Sequence, residues 1–128
     1  MEATNPQRAG FALPVGALLG AAAVLLGAFG AHEMKKVYDA TALKTFETGV
    51  RYQMYHALAL ILCGALRALG WRTSAAAWLF VVGIALFSGS LYGLALADLK
   101  WLGPVTPIGG LAFFAGWLLL AFAPRKPA

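Results

Sequence analysis

Residues 9–31 carry no charged side chain, and this single run restricts the chain to very few folds. A helix rises about 1.5 Å per residue, so the run is long enough to cross a hydrocarbon core of about 30 Å. A helix also satisfies its backbone donors and acceptors within one segment, as a lipid environment requires. Pro14 stands near the start of the run, where a missing backbone donor costs least. Arg8 ahead of the run, and Ala28, Gly30 and Ala31 near its end, give it some likeness to a secretory signal with a cleavage site. The run is longer than the apolar region of such signals, and it reads as a retained span.

Composition agrees. Of the 128 residues 61% are hydrophobic, only 12% are charged, and the charges bunch between long uncharged stretches. The mean hydropathy of +0.75 places the chain outside the soluble globular range. The formal net charge of +5 would suggest nucleic acid as the partner of a soluble protein. Here the basic residues stand at the ends of apolar runs, where they act as interfacial anchors and topology signals, so no nucleic-acid partner is expected. Cys63 is the only cysteine, which excludes a disulfide and a thiolate metal site within one chain and leaves a small packing residue.

The sequence predicts a single transmembrane domain, residues 1–128, of the all-α membrane class: a four-helix antiparallel transmembrane bundle with spans at 9–31, 50–69, 74–97 and 107–123. Residues 32–49 interleave Glu33, Lys35, Lys36, Asp39, Lys44 and Glu47 with Val37, Leu43 and Phe46, the pattern of an amphipathic interfacial segment. Asp39 or Thr41 is suited to cap a helix beginning there and running on into the second span. That span is the shortest, because Arg51 and Arg67 bracket it and Gln53 and His56 interrupt it. Before the fourth span, Thr106 is expected as a cap and Pro107 as the first helical residue.

Lipid gives helices no hydrophobic reason to associate, so close approach through small residues must supply the contact. Gly16, Gly20, Ala23, Gly27 and Gly30 draw a seam along the first span. Ala85, Gly89, Gly93 and Ala97 recur every four residues in the third, and Gly109, Ala112 and Gly116 mark the fourth. These seams suit internal packing, self-association or contact with other membrane-protein subunits, with membrane lipid around the rest. The basic residues divide evenly, with Arg8, Arg67, Arg72, Arg125 and Lys126 at one end and Lys35, Lys36, Lys44, Arg51 and Lys100 at the other. If Lys44 and Arg51 belong to a helix surface, both termini face the cytoplasm.

Ionisable groups within a membrane are costly and are functional candidates by default. His56 falls near mid-bilayer, with Tyr52 and Gln53 one turn away and a possible Glu47–Arg51 pair at i,i+4. His32 and Thr106 lie toward the same rim. One candidate polar cluster therefore comprises His32, Glu47, Arg51, Tyr52, Gln53, His56 and Thr106. It serves either as a proton relay or ligand site, or as a clamp whose polar groups satisfy one another. Ser88 and Ser90 are expected to bond within or between helices. No nucleophile and base stand at diagnostic spacing, and there is no phosphate loop, zincin pattern or dinucleotide fingerprint, so neither enzymatic activity, a metal nor a cofactor is expected.

The segments GAFGAH (27–32), TFETGVRYQMYHALAL (45–60), FSGSLY (87–92) and TPIGGL with GW (106–117) resemble the YgdD/YwdK family of small bacterial membrane proteins. This domain-of-unknown-function group has a small eukaryotic transmembrane relative. The resemblance implies several membrane helices, a bacterial inner-membrane location and no assigned reaction. It carries His32, Glu47, Arg51, Tyr52, Gln53, His56, Ser88, Thr106 and Pro107 as parts of matching motifs without giving any a role. The expected function is that of a non-enzymatic accessory or assembly subunit of a larger membrane complex. The alternative is a small oligomeric transporter or proton-conducting protein built around His56.

Overall fold

The computed structural model describes residues 6–125, so Lys126 lies outside the described residues. A 3-10 turn (Pro6–Ala9) leads into α1 (Ala12–Ala31), and a second (Met34–Lys36) joins α1 to α2 (Ala40–Ala68). Next, α3 (Ser74–Gly83) and α4 (Gly89–Ala97) form one rod through a turn of π-helix (Ile84–Ser88). A last 3-10 turn (Lys100–Leu102) precedes α5 (Val105–Ala121). Three stretches, Ala12–Lys36, Ser74–Ala97 and Lys100–Ala121, are long and apolar enough to cross a membrane. The protein is thus an all-α membrane protein.

Antiparallel packing follows from which residues meet. A Cβ placed on Gly16 would fall 2.7 Å from the Ala57 carbonyl oxygen, one on Gly27 would meet Val50, and one on Gly30 would meet Phe46. Rising numbers on α1 therefore meet falling numbers on α2. The same holds between α2 and the α3–α4 rod, where Cys63 meets Thr73, His56 meets Phe80, and Gly49 meets Ser88 and Tyr92. Along α5, Gly109 lies against Phe87, Phe113 against Gly83, and Gly116 against Phe80. Close approach at these glycines supplies dispersion contact between the helices, which apolar solvent does not drive together. Leu60, Cys63 and Phe80 are fully buried at the centre.

Asp39 caps α2, its side chain accepting from the Ala42 amide at 2.8 Å. The far end of α2 closes on Gly70 at φ 101, with Trp71 N–H bonding to the Leu66 carbonyl and Gly70 N–H to that of Arg67, the two bonds of a Schellman stop. Both ends of the described chain gather at this turn. The Arg8 carbonyl accepts from Arg67, the Arg72 amide donates to the Pro124 carbonyl, and the Arg125 guanidinium lies 5.9 Å from the Trp71 ring centre. At the other end, Met34 is buried beside Phe46, and Tyr38 donates to the Leu96 carbonyl at 3.0 Å. The polar segment after α1 is thereby fastened to both α2 and α4.

Two local expectations are corrected. The third seam does not stay on one face: Ala85 and Gly89 are exposed and a Cβ on Gly89 would meet nothing within 4 Å, while Gly93 approaches Leu102. The π turn at Ile84–Ser88 adds a residue to one turn and rotates everything beyond it; Gly83, just before the turn, and Ser88, at its end, are the buried positions instead. Thr106 is not a cap either. Because α5 starts at Val105, Thr106 is helical and Pro107 takes the third position, still among the amides that have no partner within the helix.

Candidate functional site

Helical periodicity decides which α2 side chains can meet. Phe46, Gly49, Gln53, His56, Ala57, Leu60, Cys63 and Gly64 recur at three- and four-residue steps and are buried, so they form the inner face. Glu47 and Arg51 share a different face and are exposed. Arg51 and Gln53 are two residues apart, about 200° around the helix, and a single cluster cannot contain both.

Three separate arrangements result. In the first, His56 lies flat on Phe113, the ring centres 3.5 Å apart and the planes within 7°. Its Nδ1 is 2.7 Å from the Tyr52 carbonyl, and Trp117 Nε1–H donates to its Nε2 at 3.1 Å. A carbonyl only accepts and an indole only donates, so the ring is the neutral tautomer with hydrogen on Nδ1. Both nitrogens are engaged. In the second, Gln53 donates to the Leu19 carbonyl on α1 at 2.8 Å and accepts from Tyr92 on α4 at 2.6 Å, tying three helices together. In the third, Thr106 and Ser90 share a hydrogen bond between α5 and α4, and Ser90 also donates to the Phe87 carbonyl.

The remaining members stay apart from these. His32 is exposed at the end of α1. Among the described residues Glu47 and Arg51 form no ion pair, with each other or elsewhere; the pair present is the exposed Glu33–Lys36 contact at 3.3 Å. Of the packing residues, Gly16, Gly20 and Gly27 face α2, and Gly109 and Gly116 face the α3–α4 rod. Sequence reading overlooked Trp117, Phe113 and Tyr92, which complete the polar sites. A signal for Trp117 existed, because an indole N–H deep in an apolar helix needs an acceptor and His56 offers one.

Every buried side-chain nitrogen and oxygen among the described residues has a partner. This makes the energetics of the Gln53 site predictable. Gln53→Leu would take away the second donor of the Leu19 carbonyl, which keeps its bond within α1, and would leave the Tyr92 hydroxyl without its acceptor, at a cost of about 2 kcal/mol. Adding Tyr92→Phe removes one orphan, so the double variant should recover part of that loss in detergent unfolding curves. Equal or additive losses would mean that the two side chains do not act together.

The family model described as "Protein of unknown function (DUF423)" matches residues 26–110. A UPF0382 membrane protein of Staphylococcus haemolyticus is 43% identical over 88% of this chain and 93% of its own length. The UPF0382 membrane protein YwdK of Bacillus subtilis is 43% identical over 88% of this chain and 94% of its own. The UPF0382 inner membrane protein YgdD of Escherichia coli is 41% identical over 86% of each. No solved structure matches the chain.

Proposed function

We propose a structural role for this chain, which belongs to the DUF423 family: it is a non-enzymatic accessory or assembly subunit of a larger bacterial inner-membrane complex. The observation that carries this reading is the completeness of the interior. Among the described residues no buried side-chain nitrogen or oxygen lacks a partner, and glycines bring backbones into contact. A conduit or catalytic centre instead keeps polar groups available to its substrate.

In this reading all four long helices cross the membrane. At 29 residues, about 44 Å, α2 exceeds the hydrocarbon core, so residues 50–69 span it and the charged first third stands at the interface. Arg8, Arg67, Arg72 and Arg125 gather at one end, against Lys35, Lys36 and Lys100 at the other. Lys44 and Arg51 lie on the body of α2, which supports placing both termini in the cytoplasm.

Ala85 and Gly89 supply the test, because they leave a smooth outward strip with no internal role. Tagged protein purified from its own host in native detergent should carry a partner at fixed stoichiometry, identified by mass spectrometry. Gly89→Leu should fold normally yet lose at least about 90% of that partner, since a bulky side chain prevents close backbone approach. A lone homo-oligomer retaining a small molecule would sink the accessory reading.

A further inference from the structure

Between the last turns of α1 and the first turns of α2 lies a groove of about 360 Å³. Gly27, Gly30 and Phe46 form an apolar floor, and Lys35, Glu47 and Arg51 stand along it. The groove exists because Gly27 and Gly30 contribute no side chain where α1 passes Val50 and Phe46.

The charges are what set this groove apart. Glu47 and Arg51 have the i,i+4 order that favours a helical ion pair, yet they do not pair. Lys35 likewise has no ion pair or side-chain hydrogen bond among the described residues. Two cations and a carboxylate thus border an apolar hollow with their bonding capacity unspent. Their depths also differ. Val50 lies opposite Gly27 and Phe46 opposite Gly30, so Arg51 sits roughly 6 Å below the end of α1 and Glu47 about one turn nearer the water.

We propose that this groove binds phosphatidylethanolamine. Arg51 donates to the phosphate from the deeper level, and Lys35, on the 3-10 turn beyond the end of α1, reaches it from the water side. Glu47 accepts from the primary ammonium, which a two-carbon link holds close to the phosphate, within reach of a side chain one helical turn from Arg51. The glycerol end of an acyl chain rests on Gly27, Gly30 and Phe46. Phosphatidylglycerol has the phosphate but offers Glu47 no cation. Phosphatidylcholine has the cation, but its methyl groups replace every N–H donor.

Native mass spectrometry of the full-length protein tests this, in detergent micelles doped with equal amounts of the three lipids bearing the same acyl chains. The wild type should retain phosphatidylethanolamine about fivefold over either competitor, the scale of one charge-assisted hydrogen bond. Glu47→Gln should abolish that preference while leaving phospholipid retention in general, and Arg51→Gln should weaken retention of all three. Both side chains are exposed, so both variants should unfold as the wild type does. Gly27→Leu provides a second route. Its Cβ would make an ordinary 3.6 Å contact with Val50, and the rest of the side chain would fill the groove and displace lipid. Equal retention of the three lipids, an unchanged preference in Glu47→Gln, or a groove closed by a second copy of the chain with no lipid held would each overturn the proposal.

Discussion

Gly109→Ala is expected to destabilise the protein by roughly 3 kcal/mol, the upper end of ordinary overpacking, although it adds a single methyl group to an apolar helix. That methyl would clash with the Phe87 backbone nitrogen and lie 2.8 Å from the Leu86 carbonyl carbon and the Phe87 Cα. None of these atoms can rotate away. The whole of α5 would have to retreat, lifting Phe113 from Gly83 and Gly116 from Phe80. Since lipid does not drive helices together, lost contact at this crossing has no compensating hydrophobic term. The neighbouring glycine gives the control. A Cβ on Gly110 would approach only the Phe87 ring, at 3.8 Å, an ordinary contact. Gly110→Ala should therefore be neutral or stabilising by up to about 1 kcal/mol, the gain in helix propensity. Unfolding of both variants by a denaturing detergent, followed through tryptophan fluorescence, separates the two. Equal stability would show that α5 does not dock through its backbone.

The contrast between these adjacent glycines marks how far sequence reading reaches. Membrane character, helix type and the packing role of Gly16, Gly20, Gly27, Gly109 and Gly116 follow from uncharged runs and residue size, properties that act along one helix at a time. The seam through Gly89 misled because a π turn cannot be read from apolar side chains, and one extra residue re-aims every position after it. The polar cluster misled for a related reason. Glu47, Arg51, Gln53 and His56 are close in sequence, but only the 3.6-residue period separates the outward pair from the inward one. The partners of the inward pair, Tyr92 and Trp117, come from distant helices whose rotation is fixed only once the bundle is packed.

His56→Ala is expected to cost about 3 kcal/mol, a loss comparable to removing a core aromatic side chain. The ring covers Phe113, contacts Phe80 and supplies the acceptor for the half-exposed Trp117 indole, so its removal opens a cavity and leaves that N–H without its acceptor in apolar surroundings. His56→Gln returns an acceptor without the stacked ring and should restore no more than about half of that stability. The same geometry bears on the competing reading as a proton conductor. A relaying imidazole must release a proton on one side and take one up on the other. Here the uptake nitrogen faces an indole N–H, which has no proton to spare, and the other nitrogen is bonded to a backbone carbonyl of its own helix. Vesicles containing wild-type protein and an internal pH dye should therefore equilibrate no faster than empty vesicles under an imposed gradient. Faster equilibration that disappears in a folded His56→Gln variant would make this histidine a working group and overturn the structural assignment. The expected pattern is the opposite: a large loss of stability in His56→Ala with no change in flux at all.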